Sequence, residues 1–305
     1  GFAIQIAHSF GADDRASLRK AAGQSIVLGI LVVTVLEIIA QIFLRPVLTL
    51  MNTPEDTYHL TLIYLRITFG GLPLVMGYNL FSGFLRSVGN GRIPLTAITC
   101  SAVCNILLDI LFVVGFELGV AGAALATILS QLVSGVLILL SLLKTHDAYR
   151  LQPKKIRFHG DLLSRIVRIG FPAGMQSVMY SLSNIIIQTA INGFGTNVVA
   201  AWTAYGKMDG LFWMTIQAFG VAITTFVGQN FGAGRMDRIH KGVRVMNWAY
   251  VVTALAMSAF VITLREPLFR IFVESREAVE VGCRMLLIIS PFYIVNIYIE
   301  NYSGA

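Results

Sequence analysis

Charge is scarce in this chain. Only 13% of its residues are Asp, Glu, Lys or Arg, against roughly 25% in soluble domains. With 56% hydrophobic residues, that excludes a soluble globular class and makes the chain an integral membrane protein. Cysteine is nearly absent: Cys100, Cys104 and Cys283 form no CxxC and no metal-like cluster with histidine. A disulfide framework and a zinc or iron–sulfur site are therefore not expected, and the three read as small apolar packing residues. His8, His59, His146, His159 and His240 all fall at the ends of apolar runs or between them, where they read as solvated polar residues. No His-Glu-x-x-His, Gly-x-Ser-x-Gly or paired Asp-rich metal motif occurs, which disfavours an intramembrane enzyme.

What the chain does have is membrane-length apolar segments. They fall at about 21–44, 60–85, 92–116, 121–143, 165–193, 208–230, 242–264 and 279–302, each near the roughly 20 residues that an α-helix needs to cross a hydrocarbon core. Residues 1–8 read as the last turns of another span. Eight full spans are expected.

The segments repeat at a fixed offset of 221 residues. Phe10-Gly11-Ala12 returns as Phe231-Gly232-Ala233, Lys20 as Lys241, Pro46 as Pro267 and Ser82-Gly83 as Ser303-Gly304. The shift carries each span onto the sixth after it, so both copies point the same way through the bilayer. Two like-built helical bundles in one polypeptide is an architecture of transporters. If the offset holds, the intact protein has twelve spans, six per lobe. The expected fold is thus an all-α integral membrane protein of two pseudo-symmetric six-helix lobes, with an N-lobe over 1–143, a cytoplasmic inter-lobe linker over 144–164 and a C-lobe over 165–305.

Placement of charge gives the orientation. The net charge is +7, and the connections at 9–20, 86–92, 144–168 and 231–244 hold 16 of the 23 Lys and Arg residues. The positive-inside rule puts these connections in the cytoplasm, which accounts for the basic balance without nucleic acid. The longest polar stretch, Lys144 to Gly160, carries Arg150, Lys154, Lys155 and Arg157 and reads as a solvated loop facing anionic lipid. No obligate protein partner is indicated.

A charge inside a span demands explanation, since an ionised carboxylate mid-bilayer costs at least about 2.5–3.5 kcal/mol. Asp109, well inside 92–116, is the strongest candidate. Asn105 lies one helical turn before it on the same face, and Thr127, a similar distance into the next, antiparallel helix, is expected at about the same depth. Desolvation favours the neutral acid and a bound cation favours the anion, so one such site holds either a proton or a cation. That competition is a coupling mechanism. Arg66 reads as a snorkelling anchor and Glu37 as its partner or a cavity-facing group. Lys207 and Asp209, flanking the start of 208–230, read as interfacial. In the C-lobe, Gln176, Asn184 and Glu300, the last at the repeat position of Asn79, are the polar candidates. Met175, Met179, Tyr180, Tyr205 and Trp213 form a polarizable, aromatic set suited to flat cationic guests. Pro172, near the start of its expected helix, is a place for a bend.

These segments resemble the multidrug and toxic compound extrusion (MATE) transporter family. The resemblance rests on Gln5 to Ala12 and its copy Gln229-Asn230-Phe231-Gly232-Ala233. It rests also on Ser82-Gly83-Phe84-Leu85-Arg86-Ser87-Val88-Gly89-Asn90 leading into Pro94, and on Asn105-Ile106-Leu107-Leu108-Asp109 followed by Gly119-Val120-Ala121-Gly122-Ala123-Ala124-Leu125-Ala126-Thr127. It covers the whole chain, from the tail of the family's second helix to its tenth.

The resemblance implies cation-coupled antiport, with proton or sodium as the coupling ion and no other cofactor. Organic, often cationic, compounds would be exported across the plasma membrane by alternating access. An Asn, an Asp and a Thr in matching order and helices belong to the family's N-lobe ion site, which carries over to Asn105, Asp109 and Thr127. Some relatives add an acidic residue in the seventh helix, whereas the span at 165–193 has none. That departure points to coupling through the N-lobe. A lipid-linked oligosaccharide or lipid flippase is the nearest rival, but it needs several basic side chains in its cavity, and only Arg66 is convincingly intramembrane.

Overall fold

A computed structural model describes residues 2–51, 53–145, 147, 149–151 and 160–293. Among these residues all regular structure is helical. The chain divides into two compact units, Gly1–Val167 and Arg168–Ala305.

In the first unit α1 (Phe2–Gly11) turns into the long α2 (Arg15–Leu50), followed by α3 (Glu55–Gly70), α4 (Leu72–Ser87), α5 (Arg92–Asp109), a π-helical segment (Ile110–Gly115) and α6 (Gly119–Lys144). Ile6, Leu18, Phe84, Leu85, Ile138 and Leu142 form its core, where α1, α2, α4 and α6 meet. The start of the expected linker folds back onto this unit. Leu151 N–H donates to Leu142 O at 3.0 Å, and the Tyr149 ring stands edge-on to Phe10 and Phe84, with centroids 6.5 Å apart in each case.

The second unit takes in most of α7 (Gly160–Asn192), followed by α8 (Thr196–Gly232), α9 (Met236–Thr263), α10 (Arg265–Phe272), α11 (Arg276–Ile289) and a 3-10 turn (Ser290–Phe292). Tyr205, Met208, Phe212, Phe269 and Leu286 make its core between α8 and α11. Elsewhere large apolar side chains such as Ile42, Val114, Ile186 and Trp248 lie exposed. Lipid tails are the solvent that such a surface requires.

Helix boundaries recur at the 221-residue offset. The ends of α1 and α8, the starts of α2 and α9, and the starts of α3 and α11 coincide under it: Gly11 with Gly232, Arg15 with Met236, Glu55 with Arg276. The turn after α1 and its copy after α8 share three backbone bonds. Ala12 N–H donates to His8 O, Asp13 to Phe10 and Asp14 to Ser9, and Ala233, Gly234 and Arg235 donate to Gln229, Phe231 and Asn230. One residue in each turn takes a left-handed conformation, which releases the last carbonyls of the helix to the following amides. Only the first copy has a side-chain cap: Asp14 Oδ1 accepts from the backbone N–H groups of Ala16 and Ser17 at 3.1 and 3.0 Å.

Among the described residues five helices are long and apolar enough to cross a membrane, and α3 with α4 makes a sixth when taken as one span bent by 40°. The expected span at 60–85 is therefore broken. At Gly71 the chain leaves α3, and Pro73 in the first turn of α4 has no N–H to continue the ladder. A Cβ on Gly71 would stand 2.5 Å from the Ile128 side chain, so glycine lets the break sit against α6. The copy of this break is the turn at Ser290–Phe292, which contains Pro291.

Two further expectations are corrected. The span placed at 208–230 belongs to the 37-residue α8, so Asp209 is not at its start but about 20 Å along it at 1.5 Å per residue. Pro172 is not near a helix start, because α7 already begins at Gly160. That helix has the length to span but is the more polar one, with Gln176, Ser177, Ser181, Asn184 and Gln188 along it. Ser177 and Ser181 donate to the carbonyls four residues before them.

Candidate functional site

In the first unit the site is built on the α5–α6 pair. The Ser101 hydroxyl donates to Ser130 O at 2.6 Å, both side chains being buried. Ten residues or so further along, Gly122 meets the backbone of Phe112 so closely that a Cβ there would stand 3.0 Å from its carbonyl carbon and oxygen. These two contacts fix the antiparallel register, and buried Ala124 and Ala126 keep the helices close between them. Ser101, Asn105 and Asp109 succeed one another at four-residue intervals on one stripe of α5. The register puts Thr127 level with Asn105.

Regular α-helix ends at Asp109. Beyond it the π-helical segment carries the bond from Phe116 N–H to Leu111 O at 2.9 Å. A π turn inserts an extra residue into the helical ladder and is common where a side chain must be re-aimed for function. The segment leads to Glu117 and Gly119, with φ of 54° and 53°, and so into α6.

Asp109 and Asn105 are half-buried, and Thr127 is exposed. The Asn105 Nδ2 is buried with no hydrogen-bond partner. Such a donor calls for an acceptor or an ion's ligand shell to satisfy it. Thr127 Oγ1 donates to Ala123 O of its own helix at 3.0 Å, which leaves both lone pairs of that hydroxyl oxygen to accept a hydrogen bond or ligate an ion. Among the described residues no hydrogen bond joins Asn105, Asp109 and Thr127 to one another. Nor does an ion pair join Glu37 and Arg66; Gln41 Nε2 instead donates to the Arg66 carbonyl at 3.0 Å.

In the second unit the sequence-predicted residues are dispersed. Met175, Gln176, Met179, Tyr180 and Asn184 lie exposed along α7. Tyr180 meets Trp213 of α8 edge-on, with centroids 6.2 Å apart, which brings two of the expected wall residues together. Tyr205 faces the α8–α11 core and is 6% exposed. Glu300 lies outside the described residues.

Sequence reasoning did not single out the polar cluster beside Tyr205. The Tyr205 hydroxyl is 3.1 Å from Asp209 Oδ1 and 2.6 Å from the Tyr293 hydroxyl, and Tyr293 also donates to Asp209 Oδ1. Phe212 stacks on Tyr293 with ring centroids 4.1 Å apart and planes 6° from parallel, and Trp202 stacks on Tyr205. The signal available in the sequence was Tyr205 and Asp209 four residues apart on one helix. Tyr293, distant in the chain, carries no local mark.

Comparison with known proteins gives a consistent picture. The MatE family model matches residues 1–111 and 172–305. The chain is 26% identical over 302 residues to a probable multidrug resistance protein of Bacillus subtilis, YoeA, covering 97% of this chain and 65% of the relative. To another from that organism, YpnP, it is 31% identical over 246 residues, covering 81% of this chain and 55% of the relative. It is 24% identical to the multidrug export protein MepA of Staphylococcus saprophyticus, covering 97% and 65%. The chain thus spans about two thirds of the length of these relatives or less. A solved MATE structure in a bent conformation superposes with a TM-score of 0.91 at 22% identity, over 99% of this chain and 67% of that one. An outward-facing multidrug resistance MATE family transporter also superposes with a TM-score of 0.91 at 22% identity, covering 99% and 69%.

Proposed function

The chain belongs to the MatE family, a family of multi-pass membrane transporters and not of enzymes, and we propose that its protein is a cation-coupled exporter of organic cationic compounds. Proton or sodium drives it, and two six-helix lobes, with this chain's 1–143 and 165–305 in one each and 144–164 between them, alternate the side to which the substrate has access. The export reading is supported by relatives described as a probable multidrug resistance protein and a multidrug export protein.

The observation that carries the coupling role is the α5 stripe. A carboxylate on an apolar span, one turn from an amide donor without a partner, sits where the helix changes to π geometry. A proton on Asp109 removes its charge. A sodium ion instead takes oxygen ligands from the Asn105 carboxamide and Thr127, level with each other, and from Asp109 one turn further along α5. Either occupant makes the site neutral enough to move relative to lipid, and an empty, ionised site is held back by the cost of its bare charge. The exposed Met175, Met179 and Tyr180, with Trp213, offer polarizable surface for the exported cation.

The test is flux. With the full-length chain in proteoliposomes, export of the cationic dye ethidium is expected to follow an imposed proton or sodium gradient, to reverse when the gradient is reversed and to saturate with dye. Linear, gradient-independent flux would indicate a channel. Movement of a fluorescent lipid-linked oligosaccharide without dye transport would indicate a flippase.

A further inference from the structure

We propose that the cleft between α10 and the first turns of α11 binds the phosphodiester headgroup of an anionic phospholipid in the outer leaflet. The inference stands apart from the coupling and export readings and uses none of their residues.

Arg265, Arg270, Arg276 and Arg284 converge on this cleft of about 830 Å³. Their placement runs against the distribution of charge in the rest of the chain. Seven Lys and Arg residues lie outside the four basic connections, and four of them are these arginines; Arg45, Arg66 and Lys207 are the others. With 231–244 in the cytoplasm, α9 delivers α10 to the opposite side, where basic residues are depleted. Nor does the fold require them. Under the 221-residue offset their copies are Leu44, Thr49, Glu55 and Ile63.

Contacts within the protein leave a positive charge over. Arg270 Nη2 donates to Glu266 Oε1 at 2.7 Å, Arg276 Nε to Glu280 Oε1 at 3.3 Å and Arg265 Nη1 to Ile262 O at 2.8 Å. Among the described residues Arg284 makes no hydrogen bond or ion pair, and Glu274 no ion pair. Four arginines thus face three glutamates around the cleft, and one phosphodiester neutralises the surplus. Both ion pairs are exposed, so each holds little energy. Their guanidinium groups keep further N–H donors in the planar fork that suits phosphate oxygens.

Depth and direction identify the ligand as a lipid. Arg284 lies eight residues, or about 12 Å at 1.5 Å per residue, inside the outer end of α11 at Arg276. A helical side chain leans toward the N-terminus of its helix, which in α11 is the outer end. The long stem of Arg284 therefore carries its guanidinium back toward the level of the lipid phosphates, where an anion offsets the cost of a bare charge below the interface. Apolar surface continues inward from the arginines. Leu287 lines the cleft, and Ile288 beside it is exposed. In α10 Phe269 is buried in the core while Ile271 and Phe272 stay exposed, as in a short amphipathic helix seated at a lipid surface. In the first unit α6 packs on α3, and the copy of this face still leaves Thr49, Glu55 and His59 exposed. A helix packed at that place does not close the face to lipid.

Cys283 lines the same cleft and is half-buried, so its alkylation reports an occupant. The test uses delipidated full-length protein in detergent, alkylated with N-ethylmaleimide while phosphatidylglycerol is titrated in, each cysteine being read by mass spectrometry of its peptide. Cys100 and Cys104 on α5 are the internal references. Phosphatidylglycerol is expected to slow alkylation of Cys283 severalfold and saturably, to leave Cys100 and Cys104 unchanged, and to lose this effect in Arg284→Gln. Native mass spectrometry is expected to show one fewer phosphatidylglycerol retained by Arg284→Gln than by the unaltered protein. Equal protection by phosphatidylcholine would overturn recognition of the anionic headgroup, and equal protection by inorganic phosphate would overturn a lipid as its source. Protection and retained lipid both unchanged in Arg284→Gln would overturn the site.

Discussion

Asp13 and Gly234 occupy the same left-handed backbone conformation 221 residues apart, with φ of 51° and 68°. Glycine adopts it without steric cost; an L-residue pays roughly 1–2 kcal/mol, and Asp is among the more tolerant. Asp13→Gly is therefore expected to stabilise the first turn by up to about 1 kcal/mol, and Gly234→Val to destabilise its copy by about 1–2 kcal/mol. Thermal unfolding in detergent measures both. Opposite signs support a turn duplicated in geometry as well as in sequence.

Gly122 lies where α6 crosses the π-helical segment, and a Cβ would stand 3.0 Å from the Phe112 backbone. Backbone does not rotate out of the way as a side-chain tip does. Gly122→Val is expected to cost about 1–3 kcal/mol by overpacking, and to shift the α5 turn that carries Asp109. Crosslinking between cysteines placed at 105 and 127 reports that displacement independently of stability.

Ser101→Ala removes a buried hydroxyl bond between α5 and α6 at an expected cost of about 0.5–1.5 kcal/mol. Ser130 O is a helix carbonyl and keeps its intrahelical role, so the loss stays near that range. A much larger loss in thermal unfolding would mean that the register depends on this one bond.

The Asp14 cap titrates. Hydrogen bonds from Ser17, through its side chain and its backbone, hold the Asp14 carboxyl below the ordinary value of 3.8. The folded value is the lower one, so the stabilisation is complete above the unfolded value and is lost as pH falls through the folded value. Arg235, at the equivalent position, offers no such cap. Amide exchange at Ala16 and Ser17 is expected to accelerate in acid relative to an Asp14→Asn variant, with no matching change at 237–238.

Much of the fold was legible because apolar length and loop charge are one-dimensional properties. The offset that relates Phe10-Gly11-Ala12 to Phe231-Gly232-Ala233 returns in the structure as matching helix ends. The break at Gly71 was hidden by an apolar run that continues across it; hydropathy does not register a missing N–H at Pro73. The start of α8 was misplaced because Lys207 and Asp209 look like an interface, when in fact a pair of tyrosines receives the aspartate inside the helix bundle. Asn105 and Asp109 share a face by spacing alone, whereas the level of Thr127 needed the Ser101–Ser130 bond to fix it.

The most direct test of ion coupling on α5 is ethidium export by Asp109→Asn in the full-length chain, measured in proteoliposomes under an imposed proton or sodium gradient, beside the unaltered protein at equal abundance in the membrane. Asn keeps the shape and removes the titratable charge. Loss of gradient-driven export with retained dye binding is the expected result. Export at the unaltered rate, with the same dependence on the gradient, would contradict Asp109 as the coupling carboxylate.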